Sequence, residues 1–345
     1  MRPTCSSFAD AIWDWYSRHK RELPWRDLRV KDDTKRAYLI LISEVMLQQT
    51  QVPRVEITFK RFVRTFPSLS ALAKASNRDV LIAWRGMGYN SRALRLRDAA
   101  RTIVEKFGGG FPRDFDELRS IKGIGPYTAA AIRNFAFNLP TPCLDTNIRR
   151  ILHRVFFGPE GRDGRWRTGD GRLLEVAASL LAQACHPEPF GFAQDKLRRR
   201  MARSSKSRFD SAQRDTCDWH SALMDFGSLV CTKNSPRCAL CPMKKFCPSF
   251  DRLNQKRTRH TTQDVRRKEP GREIAGKFVP DRIIRGRIVE ELRDAEGGLK
   301  VQDIGVQVCI DWNPKEHKVW LQKLLKKLET DGLIAGRRAT YVLAD

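Results

Sequence analysis

No stretch of this sequence holds the roughly 18 to 20 consecutive apolar residues that a bilayer-spanning helix needs. The amino terminus mixes Arg2, Asp10 and Asp14 among its apolar residues, unlike a secretory signal. A cytoplasmic protein without membrane contact is expected. Acidic side chains are in short supply: 40 Asp and Glu face 65 Lys and Arg, a formal charge of +25 with a pI near 10.1. One acidic small-molecule substrate would not require that excess, so nucleic acid is the leading partner on charge alone. Cysteine is sparse outside one place. Four of the nine lie within 231–247, whereas Cys5, Cys143, Cys185, Cys217 and Cys309 are scattered. This does not resemble an extracellular disulfide framework and points to a metal or cluster site, the scattered five being ordinary buried or free thiols. With 345 residues, 41% hydrophobic content, eight Trp and eighteen Phe, the chain can bury a sizeable core, which excludes wholesale disorder.

Alternating β-branched patterns are also scarce between about residues 8 and 157, where apolar residues recur at helical spacing instead, as in Leu39-Ile42-Met46 and Ile148-Ile151-Leu152-Val155. A mainly α region is expected, its helices punctuated at Gly86-Met87-Gly88, Gly108-Gly109-Gly110 and Leu139-Pro140-Thr141-Pro142. Residues 186–216 break the pattern with the basic run Lys196, Arg198, Arg199, Arg200, Arg203, Lys206 and Arg208, and read as an inserted, disordered loop. A basic linker follows at 251–279. From 280 to 345, helical patterns at Arg287–Leu292 and Val301–Val308, a helix opening at Asn313-Pro314, and a hairpin over Leu333–Leu343 form a small winged-helix-like α+β module.

Three local patterns carry chemistry. Cys231, Cys238, Cys241 and Cys247 follow C-x6-C-x2-C-x5-C; four thiolates so close can converge on one inorganic centre, tetrahedral zinc being the generic reading. The run Lys122-Gly123-Ile124-Gly125-Pro126-Tyr127 places two glycines before a helix. They permit a tight hairpin whose backbone N–H groups, with the helix N-terminus, suit a phosphate. Glu44 stands in the apolar run Tyr38–Val52, where desolvation would keep it protonated near neutrality, as a general acid requires. About twenty residues beyond the hairpin, Asp145 opens another helix, a place that a simple N-cap would also explain.

Taken in order, Leu23-Pro24-Trp25-Arg26, Ser43 through Val52, Gly86-Met87-Gly88-Tyr89, the glycine hairpin and the four cysteines resemble the adenine DNA glycosylases of the MutY family. That family belongs to the endonuclease III superfamily of helix-hairpin-helix glycosylases. The resemblance covers about residues 8–250 and implies a mainly α, two-lobed helix-hairpin-helix glycosylase fold over 1–250. It makes the cysteine loop the ligand set of a 4Fe-4S cluster. It further implies a monomeric, monofunctional enzyme that extrudes adenine mispaired with 8-oxoguanine or guanine from double-stranded DNA and hydrolyses its N-glycosidic bond.

Carried over by position, Glu44 is the acid that protonates adenine, and Asp145, with Asn147 beside it, stabilises the sugar cation. A helix N-terminus would hold Asp145 ionised while an apolar setting holds Glu44 protonated. Tyr127 stands where strand-cleaving relatives carry a Schiff-base lysine, so no lyase activity is implied. Gln49 and Tyr89 enter the duplex, Gln48 contacts DNA beside them, and Lys122, Gly123 and Gly125 meet phosphate. Two departures stand out: Thr146 replaces a common Gly, and the winged-helix-like module stands where typical members carry a larger 8-oxoguanine-reading domain. The rival readings are a mismatch thymine or uracil glycosylase of the same superfamily and a non-catalytic iron–sulfur DNA-binding regulator.

Overall fold

A computed structural model describes residues 4–26, 28, 30–161, 165–185, 215–255 and 269–345. The expected insertion, apart from Asp215 and Thr216, lies outside the described residues with its basic run, as do residues 256–268 of the expected linker. The chain divides into two compact units, residues 1–27, 113–119 and 124–262 in one and residues 28–112, 120–123 and 263–345 in the other. Among the described residues no helix is long and apolar enough to cross a membrane.

The first unit is helical. Helix α1 (Cys5–His19) opens at Thr4, whose hydroxyl accepts from Ser7 N at 3.1 Å. Its residues Phe8, Ile12 and Tyr16, one helical turn apart, are wholly buried, each contributing about 1.5–3 kcal/mol. They join a core with Trp13, Leu152, Trp219 and Phe226, supplied by α9 (Thr146–Leu152, continued by a π-helical turn to Phe157), α10 (Asp170–Cys185) and α11 (Thr216–Leu229). Arg26 of the Leu-Pro-Trp-Arg run has a structural role in this unit: it clasps the fully buried Asp225 with bonds of 2.7 and 2.9 Å, and Arg21 Nε adds a third at 2.6 Å. Two shorter helices, α7 (Phe115–Ser120) and α8 (Pro126–Ala136), flank the glycine hairpin, and α12 (Phe250–Gln255) follows the cysteine loop.

In the second unit α2 (Asp33–Leu47), α3 (Val52–Thr65), α4 (Leu69–Lys74), α5 (Asn77–Ala83) and α6 (Ser91–Phe107) pack around Ile42, Phe62, Leu72, Trp84 and Ile103. Helix α6 ends where its glycine triplet requires, with Gly108 in the left-handed region at φ +61°. The C-terminal module of this unit comprises α13 (Asp281–Asp294), β3 (Leu299–Lys300), α14 (Val301–Val308), α15 (Pro314–Thr330), β4 (Ile334–Arg337) and β5 (Thr340–Leu343). β5 lies between β3 and β4, antiparallel to both, which is a winged-helix-like arrangement. Helix α13 starts six residues before the expected Arg287, and Asn313 caps α15 by accepting from Lys315 N at 3.1 Å. The stretch read as a linker also holds a hairpin, β1 (Gly271–Ile274) and β2 (Lys277–Pro280), turning at Ala275-Gly276 with positive φ at both. Strands this short, in which Ile274 alone is buried, leave little hydrophobic alternation to read.

Candidate active site

Glu44 lies in α2 between Tyr38 and Met46, all of them buried. Its 7% exposure excludes a carboxylate on a water-facing helix edge. The helix stops at Leu47; Gln48 and Gln49 are exposed, and Gln49 adopts φ +55°. Across the same unit, the Gly86–Tyr89 turn presents Tyr89 at φ +47° and 48% exposure. One side chain that sequence reasoning missed ties the two turns together. Arg92 donates to the carbonyls of Val45 (3.0 Å) and Met46 (3.2 Å), to Gln48 O and to Thr50 Oγ1 (3.1 Å) on one turn, and to Met87 O and Gly88 O (both 3.2 Å) on the other. It thereby satisfies carbonyls that the end of α2 leaves without helical partners. Burial lowers its pKa to about 10, so the guanidinium stays charged at neutral pH. The available signal was phase: Arg92 shares the helical stripe of Leu96, Ala99 and Ile103. A cleft of about 620 Å³ opens beside these turns, lined by Gln49, Arg54 and Tyr89 and, from the C-terminal module, Arg282 and Arg285.

The hairpin lies between α7 and α8. Gly123 has φ +99° and only a glycine sits there without strain. Gly125 has ordinary backbone geometry, and a side chain added to it would meet nothing within 4 Å. The second glycine therefore leaves space in front of α8 rather than meeting a demand of the backbone. Lys122 and both glycines are exposed, and α8 starts with Pro126 and no side-chain cap. Tyr127, in the first turn of α8, is half-buried against the core of the first unit.

Asp145 caps α9. Its Oδ1 accepts from Ile148 N at 2.6 Å and its Oδ2 from Asn147 Nδ2 at 2.9 Å. Burial nevertheless pushes this carboxyl above its ordinary range, against the lowering effect of those hydrogen bonds. Desolvation thus works against the helix end and the capping bonds, and position along a chain does not reveal desolvation. Arg150 continues the network, donating to Asn147 Oδ1 (2.7 Å), Gly227 O (2.7 Å) and Cys231 O (2.6 Å). One turn on, Arg154, 2% exposed, donates to Thr232 O (2.7 Å) and Lys233 O (3.1 Å) and pairs with Glu160. Arg150 of α9 and Arg154 of the π-helical turn that continues it therefore fasten the start of the cysteine loop to the helix that Asp145 caps.

Among the described residues no group of three or more His, Cys, Asp or Glu side chains is arranged as a finished metal site. The four loop cysteines are nonetheless neighbours. Burial, with a smaller contribution from the other loop thiolates, raises the thiols of Cys241 to about 12 and of Cys247 to about 11. Thiols that feel one another's charge, with the Arg154 guanidinium 3.7 Å from Cys231 Sγ, form a donor set suited to a thiolate-ligated cationic centre. Of the residues singled out from the sequence, Glu44, Gln48, Gln49, Tyr89, Lys122 and Gly123 belong to one unit. Gly125, Tyr127, Asp145, Asn147 and the four cysteines belong to the other.

A family model described as the HhH-GPD superfamily base excision DNA repair protein matches residues 42–165. The adenine DNA glycosylase of Mycobacterium tuberculosis is 33% identical over 325 residues, 94% of this chain and 90% of that protein. The chain belongs to the adenine DNA glycosylase family. Another adenine DNA glycosylase, from Mycolicibacterium smegmatis, is 32% identical over 284 residues and is 80% covered. The one from Rattus norvegicus is 36% identical over 256 residues, but this chain spans only 43% of its length. Among solved structures, a thermostable thymine-DNA glycosylase aligns with a TM-score of 0.55 at 24% identity, covering 72% of this chain and 97% of that one. Endonuclease III in a non-covalent complex with DNA aligns at 0.52 and 20% identity, covering 74% and 100%. The adenine DNA glycosylase family member thus has an endonuclease III-like helical fold.

Proposed function

We propose that this chain removes adenine mispaired with 8-oxoguanine or guanine from double-stranded DNA, as a monomeric, monofunctional glycosylase of base excision repair. The observation that carries the reading is Glu44, 7% exposed within the apolar helix α2, in a member of the adenine DNA glycosylase family. Desolvation in that setting favours the protonated form of a carboxyl group. Glu44 gives this proton to a ring nitrogen of the extruded adenine. The N-glycosidic bond breaks, its electron pair leaves with the base, and the sugar becomes oxocarbenium-like. Asp145, oriented by Ile148 N–H and Asn147, supplies the negative charge facing that cation. Water then adds to the sugar and returns a proton to the Glu44 carboxylate, with no covalent enzyme intermediate through Tyr127, which has no amine to offer.

Gln49 and Tyr89 fill the stack that the extruded nucleotide vacates, with Gln48 contacting DNA beside them. The hairpin of Lys122, Gly123 and Gly125 and the uncapped start of α8 take a phosphate. Cys231, Cys238, Cys241 and Cys247 would hold a 4Fe-4S cluster, which supplies a rigid crosslink for a loop carrying Lys233, Lys244 and Lys245. The test is base release by purified protein from duplexes holding A opposite 8-oxoguanine, A opposite G, T opposite G and U opposite G. Release of adenine alone, slowed about 10²–10⁴-fold in Glu44→Gln, is expected. Release of thymine or uracil instead assigns a mismatch pyrimidine glycosylase, and binding without any release assigns a non-catalytic DNA-binding protein.

A further inference from the structure

Tyr89 occupies the left-handed region at φ +47°, directly after Gly88 at φ +65°. A bulky residue persists in that conformation only where its surroundings over-determine it. On its amino-terminal side the holding groups come from the helical part of the second unit. Trp84 Nε1 donates to Gly88 O at 3.2 Å, and Arg92 Nη2 donates to Met87 O and Gly88 O, also at 3.2 Å. On its carboxy-terminal side the holding group comes from the C-terminal module. Arg293, 3% exposed near the end of α13, donates from Nη2 to Asn90 Oδ1 at 3.0 Å and from Nε to Leu81 O at 3.0 Å.

The state of Asn90 shows what this contact does. Asn90 is buried and occupies the N-cap position of α6, where its residue type is favoured for capping, yet its side chain makes no capping bond. Its amide oxygen accepts from Arg293 instead. Two more bridges, Arg85 to Asp294 and Asn77 Nδ2 to Gly332 O at 3.4 Å, fasten the module to the same unit. Neither of them touches the residues next to Tyr89. Arg282 and Arg285, on the same helix as Arg293, face the cleft that Tyr89 lines, and Arg282 also hydrogen-bonds the Tyr89 side chain, whereas Arg293 holds the backbone neighbour Asn90.

We infer that Arg293 is a positioning residue of the DNA-contact site: by holding Asn90 it keeps Tyr89 presented to the cleft, which makes the C-terminal module a working part of that site. The inference rests on the reading of Tyr89 as a residue that enters the duplex. The test uses the full chain labelled with 3-fluorotyrosine, in which Tyr89→Phe identifies one of five tyrosine resonances. Arg293→Met removes the donor while keeping the stem, and Asn90→Ala removes the acceptor, so the bond can be broken from either side if one variant does not fold.

Both variants are expected to shift or broaden the Tyr89 resonance. They should weaken binding to a duplex with adenine opposite 8-oxoguanine about 5–10-fold, the effect of one ordinary hydrogen bond. The single-turnover plateau should stay within about twofold, since no reacting group is touched. The double variant should bind no more weakly than Arg293→Met alone, which already breaks the bond to Asn90. Arg85→Ala, which breaks another bridge of the module, should leave the Tyr89 resonance and the affinity at parent values. An unmoved Tyr89 resonance, unchanged affinity in both single variants, or losses that multiply in the double variant would overturn the inference. The fluorine signal is read without DNA, so a parent protein that releases no adenine defeats the enzyme reading while the hold of Arg293 on Tyr89 is still measured.

Discussion

Replacing Arg92 by methionine should loosen both turns of the second unit at once. The guanidinium serves six acceptors, and three of them, the carbonyls of Val45, Met46 and Met87, are buried at the contact. Methionine keeps the apolar stem and removes every donor. A buried acceptor left unpaired costs about 1–3 kcal/mol, so three would cost roughly 3–9 kcal/mol if nothing moved. Two effects oppose this. The desolvation that lowers the Arg92 pKa to about 10 disappears with the charge, and the exposed turn residues can relax to admit water. A net loss of about 3–5 kcal/mol is expected, measured as a lower urea midpoint at unchanged slope. Arg92→Lys keeps the charge, but one ammonium group cannot span both turns and should recover at most about half of the loss. An Arg92→Met protein within about 1 kcal/mol of the parent would falsify the claim that these carbonyls depend on it.

Asp145 gives a prediction whose sign is set by its raised carboxyl pKa. A group held above its unfolded pKa contributes stability that is present below the unfolded value and lost as pH rises through the folded one. Asp145→Asn, neutral at every pH, should therefore unfold at higher urea than the parent at pH 7 and match it in acid, while losing base release; a midpoint at pH 7 no higher than the parent's counts against this. In the parent, base release should fall on acidification at a pH above that where an ordinary Asp titrates. Asp225→Asn leaves Arg26, whose side chain is 10% exposed, without its charge partner and should cost about 3–5 kcal/mol in urea unfolding; a loss below about 1 kcal/mol would show that water reaches the site. Purified parent protein should contain about four iron atoms per chain and Cys241→Ser fewer, by elemental analysis, with faster protease cleavage within 231–247; one zinc per chain in the parent would assign a tetrahedral zinc site instead.

Several features of the fold were legible along the chain because local physics sets them. The glycine triplet ends α6 at Gly108, since a left-handed residue is needed there. Asn313-Pro314 starts α15 because the side chain caps and the ring pre-sets the first turn. The burial of Glu44 could be read from its apolar neighbours in α2. The β1–β2 hairpin could not, because its strands are short with a single buried residue and its Ala275-Gly276 turn lacks a strong turn residue at its first position. Arg92 and Arg293 also escaped notice, since a buried arginine is recognisable only through the carbonyls it meets, which come from turns far away in the chain.

The amino-acid order by itself determined the helical character of most of the chain, the winged-helix-like sequence of elements at its end, the crowding of four thiols into one loop, and the candidate acid in an apolar helix. Each depends on neighbours a few residues apart, whose spacing is already a statement about which face they share. Only the tertiary structure decided that Asp145 is desolvated despite its capping bonds, that Arg150 and Arg154 bind the cysteine loop to α9, and that Arg293 reaches Asn90 beside Tyr89. Desolvation and charge pairing are set by what surrounds a group in space, and most of those surroundings come from residues far away in sequence.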